Sequence, residues 1–357
     1  MFNLIVTVGP SSISKDCLLA LYENGADCFR INLSHSNEDL LSQYYGRLSE
    51  LKLPIALDTE GAQLRTVDPL FDGSTVDVGQ LVQVYLDFGS TANARFNQAD
   101  LTIASPISEF LIEPDDKIRV DSNGLILQVT HKLDDNLLET TVISAGSAGK
   151  RKAVDVLDKP LESNMLTLFD EYALQFAKDN SITTIFSSFT SNSREIVDIH
   201  KRCAKGTKII AKIESIAGLI NMEEIVNCAD GVLIDRGDPS REISLKFIPL
   251  AQEAVINYCN KESVPVYVAT NILETMIKEN LPTRAEVCDI YSLLKMDVTG
   301  LVLAAETAIG HNPIGVTQMV KSIQNLYNLQ SNSLTFLHQY VPTSKFDSSI
   351  LGVWMGR

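Results

Sequence analysis

The chain has 357 residues, 45% of them hydrophobic; that length suggests two or three domains, although α/β barrels reach about 250 residues as one unit. Its 45 acidic and 30 basic side chains leave a net charge of −15, which excludes a phosphate-tracking nucleic-acid surface but not a small anion held by a few local Arg and Lys. No apolar run reaches the about 18 residues of a membrane span, the N-terminus lacks the basic region of a signal peptide, and six cysteines without a C-x-x-C pair read as reduced thiols, so a cytoplasmic setting is expected.

Short, continuously apolar runs rich in Val and Ile alternate with amphipathic stretches. "LIVTV" (4–8) is followed by "SKDCLLALYENG" (14–25), a helical pattern that opens on a Ser cap and closes on Gly. "CFRINL" (28–33) precedes the helical "NEDLLSQYYGRLSELK" (37–52), and "PIALDT" (54–59) is the third run. The alternation then breaks. "STVDVGQLVQVYLDF" and "DDKIRVDSNGLILQVTHKLDDNLLETTVIS" alternate polar and apolar residues between turn signals, the pattern of a small antiparallel β module. Helical periodicity resumes near Leu161. Five apolar runs follow at 183–188, 208–214, 231–235, 265–269 and 300–306, with helical segments at 247–261 and 284–296.

Eight strand–helix units predict an α/β fold, a (β/α)8 TIM barrel with a small β-barrel domain inserted after strand 3. The expected boundaries are 1–66 and 158–330 for the barrel, 67–157 for the inserted lid and 331–357 for an irregular C-terminal tail.

Chemistry in this barrel class sits at the C-terminal ends of the strands. Strand two ends on Arg30, Asn32, Ser34 and His35, and strand three on Asp58, Thr59 and Arg65. Strand five ends on Lys212 and Glu214, strand six on Asp235, Arg236 and Asp238, strand seven on Thr270 and Asn271, and strand eight on Glu306. Strand ends are polar in most proteins, so any one of these residues is equally well a surface turn. Lys212 is different. It lies inside an apolar strand two positions from Glu214, so both project from one face, and a buried lysine is costly unless paired or used. "RGD" at 236–238 is a polar turn, an adhesion tripeptide or a metal site, and an adhesion role has little use in a cytosolic protein. Glu214 and Asp238 together could bind one divalent cation, with Arg30, Arg65 and Lys212 supplying charge for phosphoryl transfer.

The motifs "TVGPSS", "RINLSHS", "LDTEGAQLRT", "AKIES", "DGVLIDRGD", "VATNILETMI", "PTRAEVCD" and "AAETAIG" stand in the order and at roughly the spacing of the pyruvate kinase family, which the chain resembles over residues 3–327. The resemblance implies a barrel with a β domain after the third strand and an Mg2+-dependent (or Mn2+-dependent) transfer of phosphate from phosphoenolpyruvate to ADP. It implies that Lys212 stabilises the transferring phosphoryl group. Glu214 and Asp238 would hold the divalent metal, and backbone N–H groups of Gly237 and Asp238 the substrate carboxylate. Thr270 would help protonate the enolate. Arg30, Arg65, His35 and Lys152 would reach phosphates, and Asn32, Ser34, Asp58 and Thr59 match a K+ site. A homodimer through the barrel is a further expectation.

Several positions depart from the family pattern. Glu60, Ala62 and Gln63 replace Lys, Pro and Glu, and the change at Gln63 bears on K+ dependence. Asp235 stands where Ala is usual, Pro239 removes a backbone donor, Ala304 and Ala305 replace Ser and Gly, and Ser191 replaces Arg. The family's C-terminal effector domain has no counterpart in these residues, so sugar-phosphate regulation is not expected. Two other readings stay open: a diverged family member acting on phosphoenolpyruvate, pyruvate or another 2-oxo acid, and a non-catalytic regulatory paralogue.

Overall fold

The computed structural model describes residues 2–61, 63–67, 74–88, 99–105, 112–121, 124–150, 152–157, 166–237 and 245–329. The eight apolar runs are eight parallel strands: β1 (Asn3–Thr7), β2 (Cys28–Asn32), β3 (Ile55–Asp58), β4 (Thr184–Ser187), β5 (Lys208–Ile213), β6 (Gly231–Asp235), β7 (Val266–Ala269) and β8 (Gly300–Leu303). They close into a barrel in sequence order, with β8 returning to β1.

Two apolar layers explain why these runs read as continuous. Ile5, Ala56, Phe186, Ile210, Leu233, Ala269 and Val302, one from each strand except β2, fill the barrel interior, with Cys28 of β2 packed against them. The alternate residues, such as Leu4, Val6, Phe29, Ile31 and Ile209, pack outward against the helices. The helices start where side chains can satisfy their first N–H groups. Ser14 caps Lys15–Glu23, Asn37 caps Glu38–Glu50, and Thr283 with Glu286 forms a capping box on Arg284–Lys295.

The period of two places the site. Two residues beyond the apolar interior layer, the same inward face carries Thr7, Arg30, Asp58, Ser188, Lys212 and Asp235. Strand register puts Asn32 level with Asp58, Lys212 level with Leu233, and Asp235 level with Ala269. A polar layer therefore caps the apolar one at the C-terminal mouth.

A second closed barrel follows β3. It takes in seven strands, Leu64–Thr66, Leu81–Asp87, Leu101–Ala104, Lys117–Val120, Leu125–Lys132, Leu137–Ser144 and Ala153–Val156. Its core is the alternate face of those strands, including Leu125, Leu127 and Val129. The expected module was antiparallel throughout, but Leu81–Asp87 and Leu101–Ala104 run parallel. The intervening residues 88–100 are long enough for the crossover that a parallel pair needs, where a tight hairpin would have forced the antiparallel arrangement.

Asp170 ties the segment that follows β3 to the start of the helix that precedes β4. Its carboxylate accepts the Glu60 N–H at 2.7 Å and the Gly61 and Thr167 N–H groups, each at 3.1 Å. Thr167 caps the helix Leu168–Asp179 and also donates its hydroxyl to Glu60 Oε2 at 2.9 Å. Burial pushes the Asp170 carboxyl up, against the pull of these hydrogen bonds.

Candidate active site

Lys212 is the centre of the mouth. Its side chain is buried, and its Nζ lies 3.0 Å from Glu214 Oε1, 3.2 Å from Asp58 Oδ1 and 3.0 Å from Ser188 Oγ. Burial alone pulls the ammonium down, yet the carboxylates of Asp58, Glu214 and Asp235 outweigh it and hold Lys212 above the ordinary lysine value. Lys212 is thus a fixed cation and not a proton carrier near neutral pH.

Arg30 enters from β2. Its Nη1 is 2.6 Å from Asp58 Oδ2 and its Nε donates to Thr7 Oγ1 at 2.9 Å. Glu214 is held from behind, because Oε2 accepts the Phe189 N–H at 2.7 Å. Ser188 donates its hydroxyl to the Thr59 carbonyl at 2.6 Å and receives the Lys212 ammonium. Ser188 and the Phe189 amide were not foreseen. The signal was available in the parity of "TTIFSS", where Ser188 follows inward-facing Phe186 by two.

Asp235 sits on the other side of Lys212. Its Oδ1 accepts the Thr270 hydroxyl at 2.7 Å and the Gly237 N–H at 3.0 Å. Burial alone raises this carboxyl, but Lys212, the Thr270 hydroxyl, the Gly237 N–H and Arg30 outweigh it and hold it below its ordinary range. Arg236 turns away from the mouth. Its Nη1 pairs with Asp289 at 2.6 Å, and its Nε and Nη2 donate to the carbonyls of Thr270 and Asn271 at 2.8–2.9 Å. Those two residues are left-handed, with φ of 70° and 56°, so the guanidinium clamps a turn that β-branched Thr270 rarely adopts. The arginine of the "RGD" stretch is therefore an internal brace.

The remaining expected residues fall in several places. Asp238 and Pro239 lie outside the described residues. Arg65 stands on a strand of the second barrel, level with Ala104 and Ala153. Lys152 pairs its Nζ with Asp121 at 3.2 Å, and His35 is an exposed residue of the turn Leu33–His35. Glu306 is buried and accepts the Ala304 N–H at 2.7 Å and the Ile272 N–H at 3.3 Å, so it ties the ends of β7 and β8 together.

Glu214 is a hard oxygen donor at the mouth and fits as one ligand of a divalent cation. Among the described residues no three His, Cys, Asp or Glu side chains converge as a complete metal site. Of the expected K+ donors Asn32, Ser34, Asp58 and Thr59, three have side-chain oxygens that are engaged. Asn32 Oδ1 accepts the Ser34 N–H at 3.0 Å, Thr59 Oγ1 accepts the Ser188 N–H at 2.9 Å, and Asp58 is shared by Arg30 and Lys212. All six cysteines are free thiols, and no helix among the described residues is long and apolar enough to cross a membrane.

The family model for the pyruvate kinase barrel domain matches residues 2–317. Plastidial pyruvate kinase 3 of Arabidopsis thaliana is 30% identical over 336 residues, covering 90% of this chain and 57% of its own length. Pyruvate kinase of Leishmania mexicana is 29% identical over 334 residues, covering 90% of this chain and 66% of its own. The solved structure of Cryptosporidium parvum pyruvate kinase shares the fold, with a TM-score of 0.81 and 24% identity over 95% of this chain and 73% of that one. The chain thus spans a little over half the length of the Arabidopsis relative. A polar mouth centred on Lys212, a second barrel after the third strand and a family match across nearly the whole described chain agree: this chain belongs to the pyruvate kinase family.

Proposed function

We propose that the mouth binds phosphoenolpyruvate and transfers its phosphoryl group to ADP. The single observation that carries this reading is the buried Lys212, oriented by Asp58, Glu214 and Ser188 at the C-terminal end of the barrel. In the reaction, the P–O bond to the enol oxygen breaks, a bond to the terminal oxygen of ADP forms, and the enolate takes a proton at its methylene carbon to give pyruvate. Catalysis of such a loose transfer is mainly positioning and charge. Lys212 and Arg30 supply fixed positive charge where the transferring group spreads its negative charge. Glu214, together with Asp238, would hold Mg2+ or Mn2+, which supplies further charge to phosphate and enolate oxygens when bound. Arg65 and Lys152 are candidates for nucleotide phosphates, brought to the mouth from the second barrel, and a cytoplasmic setting goes with the free thiols.

One observation favours a second reading within the family. Asp235 already engages Thr270 and Gly237, so a ligand carboxylate has to displace it or bind elsewhere in the mouth, which fits a diverged family member that holds phosphoenolpyruvate, pyruvate or another 2-oxo acid in a different pose. A coupled assay with phosphoenolpyruvate, ADP and Mg2+ separates the two. Turnover that Lys212→Met abolishes supports the kinase; no turnover with Mg2+ or Mn2+, with or without K+, rules it out.

A further inference from the structure

We propose that Asp235 is an intramolecular occupant of an anion cradle at the ends of β6 and β7, and that it tunes ligand affinity because a ligand carboxylate must displace it to enter that cradle. The inference rests on reading the mouth as a pyruvate kinase-type site. The Gly237 N–H and the Thr270 hydroxyl converge on one oxygen, Asp235 Oδ1, at 3.0 Å and 2.7 Å. A loop N–H and a hydroxyl aimed at one point form an arrangement that holds an anionic oxygen. Here the chain supplies that oxygen itself.

The space is filled as well as the donors. A Cβ built on Gly237 would meet Thr270 Cγ2 at 3.1 Å and Asp235 Oδ1 at 3.3 Å, so the two loop ends close on the carboxylate. Neither donor is free to drift. Arg236 clamps the Thr270 carbonyl, and Asp235 is the last residue of β6, one inward step beyond buried Leu233. Charge acts in the same direction. Lys212 and Arg30 already face Asp58, Glu214 and Asp235, so an incoming carboxylate must displace Asp235 or lie against a like charge.

Titration calorimetry of the full chain with oxalate, in Mg2+ buffer, tests the proposal. Asp235→Ala should bind oxalate at least about tenfold tighter than the wild type, with Asp235→Asn between them, because the amide keeps the size and loses the charge. Equal or weaker binding by an Asp235→Ala protein that melts as cooperatively as the wild type overturns it. If Asp235→Ala does not fold, unchanged affinity in Asp235→Asn overturns it instead. Turnover is scored separately. A chain that never converts phosphoenolpyruvate yet gains oxalate affinity on Asp235→Ala loses the kinase reading and keeps this one.

Discussion

Arg30 and Asp58 form a buried ion pair, 2.6 Å apart with side chains only 3% and 0% exposed, and Lys212 shares the same carboxylate. Breaking one member leaves the others charged and without water. Asp58→Ala should therefore cost about 3–5 kcal/mol, the range for removing one partner of a buried pair. Urea unfolding of the variant checks it, and a loss below about 1 kcal/mol, the usual worth of a surface pair, would show that water replaces the carboxylate.

Lys212→Met keeps the length of the side chain and removes its charge. With Asp58, Glu214 and Asp235 no longer balanced, the proposed phosphoenolpyruvate turnover should fall by about a hundred- to a thousandfold, comparable to removing a charge-stabilising donor from an active site. Lys212→Arg should recover little, since the guanidinium fork cannot reproduce a point charge shared by three oxygens. The comparison is made on kcat, with circular dichroism confirming that both variants fold.

Asp235 gives a pH dependence of known sign. Its folded value lies below the ordinary carboxylate range, so ionised Asp235 contributes stability above about pH 4 and loses it as pH falls through the folded value. Asp235→Asn should be less stable than the wild type at pH 7, with the gap narrowing in acid. Urea midpoints taken between pH 7 and pH 3 read this directly. A gap that stays constant, or widens in acid, contradicts the assignment.

Asp170 holds the linker between the barrels through the Glu60 and Gly61 N–H groups. Asp170→Ala should speed hydrogen exchange at these two amides by at least about tenfold, because each loses its acceptor. Exchange in the core of β5 should change far less. Uniform acceleration across the chain would instead mean that the variant acts on global stability.

Arg236→Lys tests the brace on β7. Lysine cannot pair with Asp289 and reach the Thr270 and Asn271 carbonyls together, so the left-handed turn should relax and the chain lose about 1–3 kcal/mol. Ala substitution at Asp289 should reproduce part of this loss, and a double-mutant cycle measures the shared fraction.

Much of this was legible in the linear chain. Eight apolar runs with interposed helical periods define the barrel because a strand covered on both faces has to be apolar throughout, and period two places Lys212 and Glu214 on one face. The break after the third strand was legible for the opposite reason: one-sided burial alternates. Legibility ended where partners come from distant segments. Ser188 meets Lys212 across 24 residues, and Asp170 meets Glu60 across 110, with no local pattern to announce either.

Asp235 marks the division most clearly. From sequence it was a carboxylate out of place beside a glycine and an arginine, and its spacing left open which way it pointed and what it touched. That it holds Thr270, 35 residues away, and takes up the Gly237 N–H was decided by closure of the barrel, which sets β6 against β7. Hydrophobic periodicity is a local property of the chain and survives in its order of residues. Hydrogen bonds and charge pairs depend on ångström distances between segments, and those distances exist only once the sheet has closed.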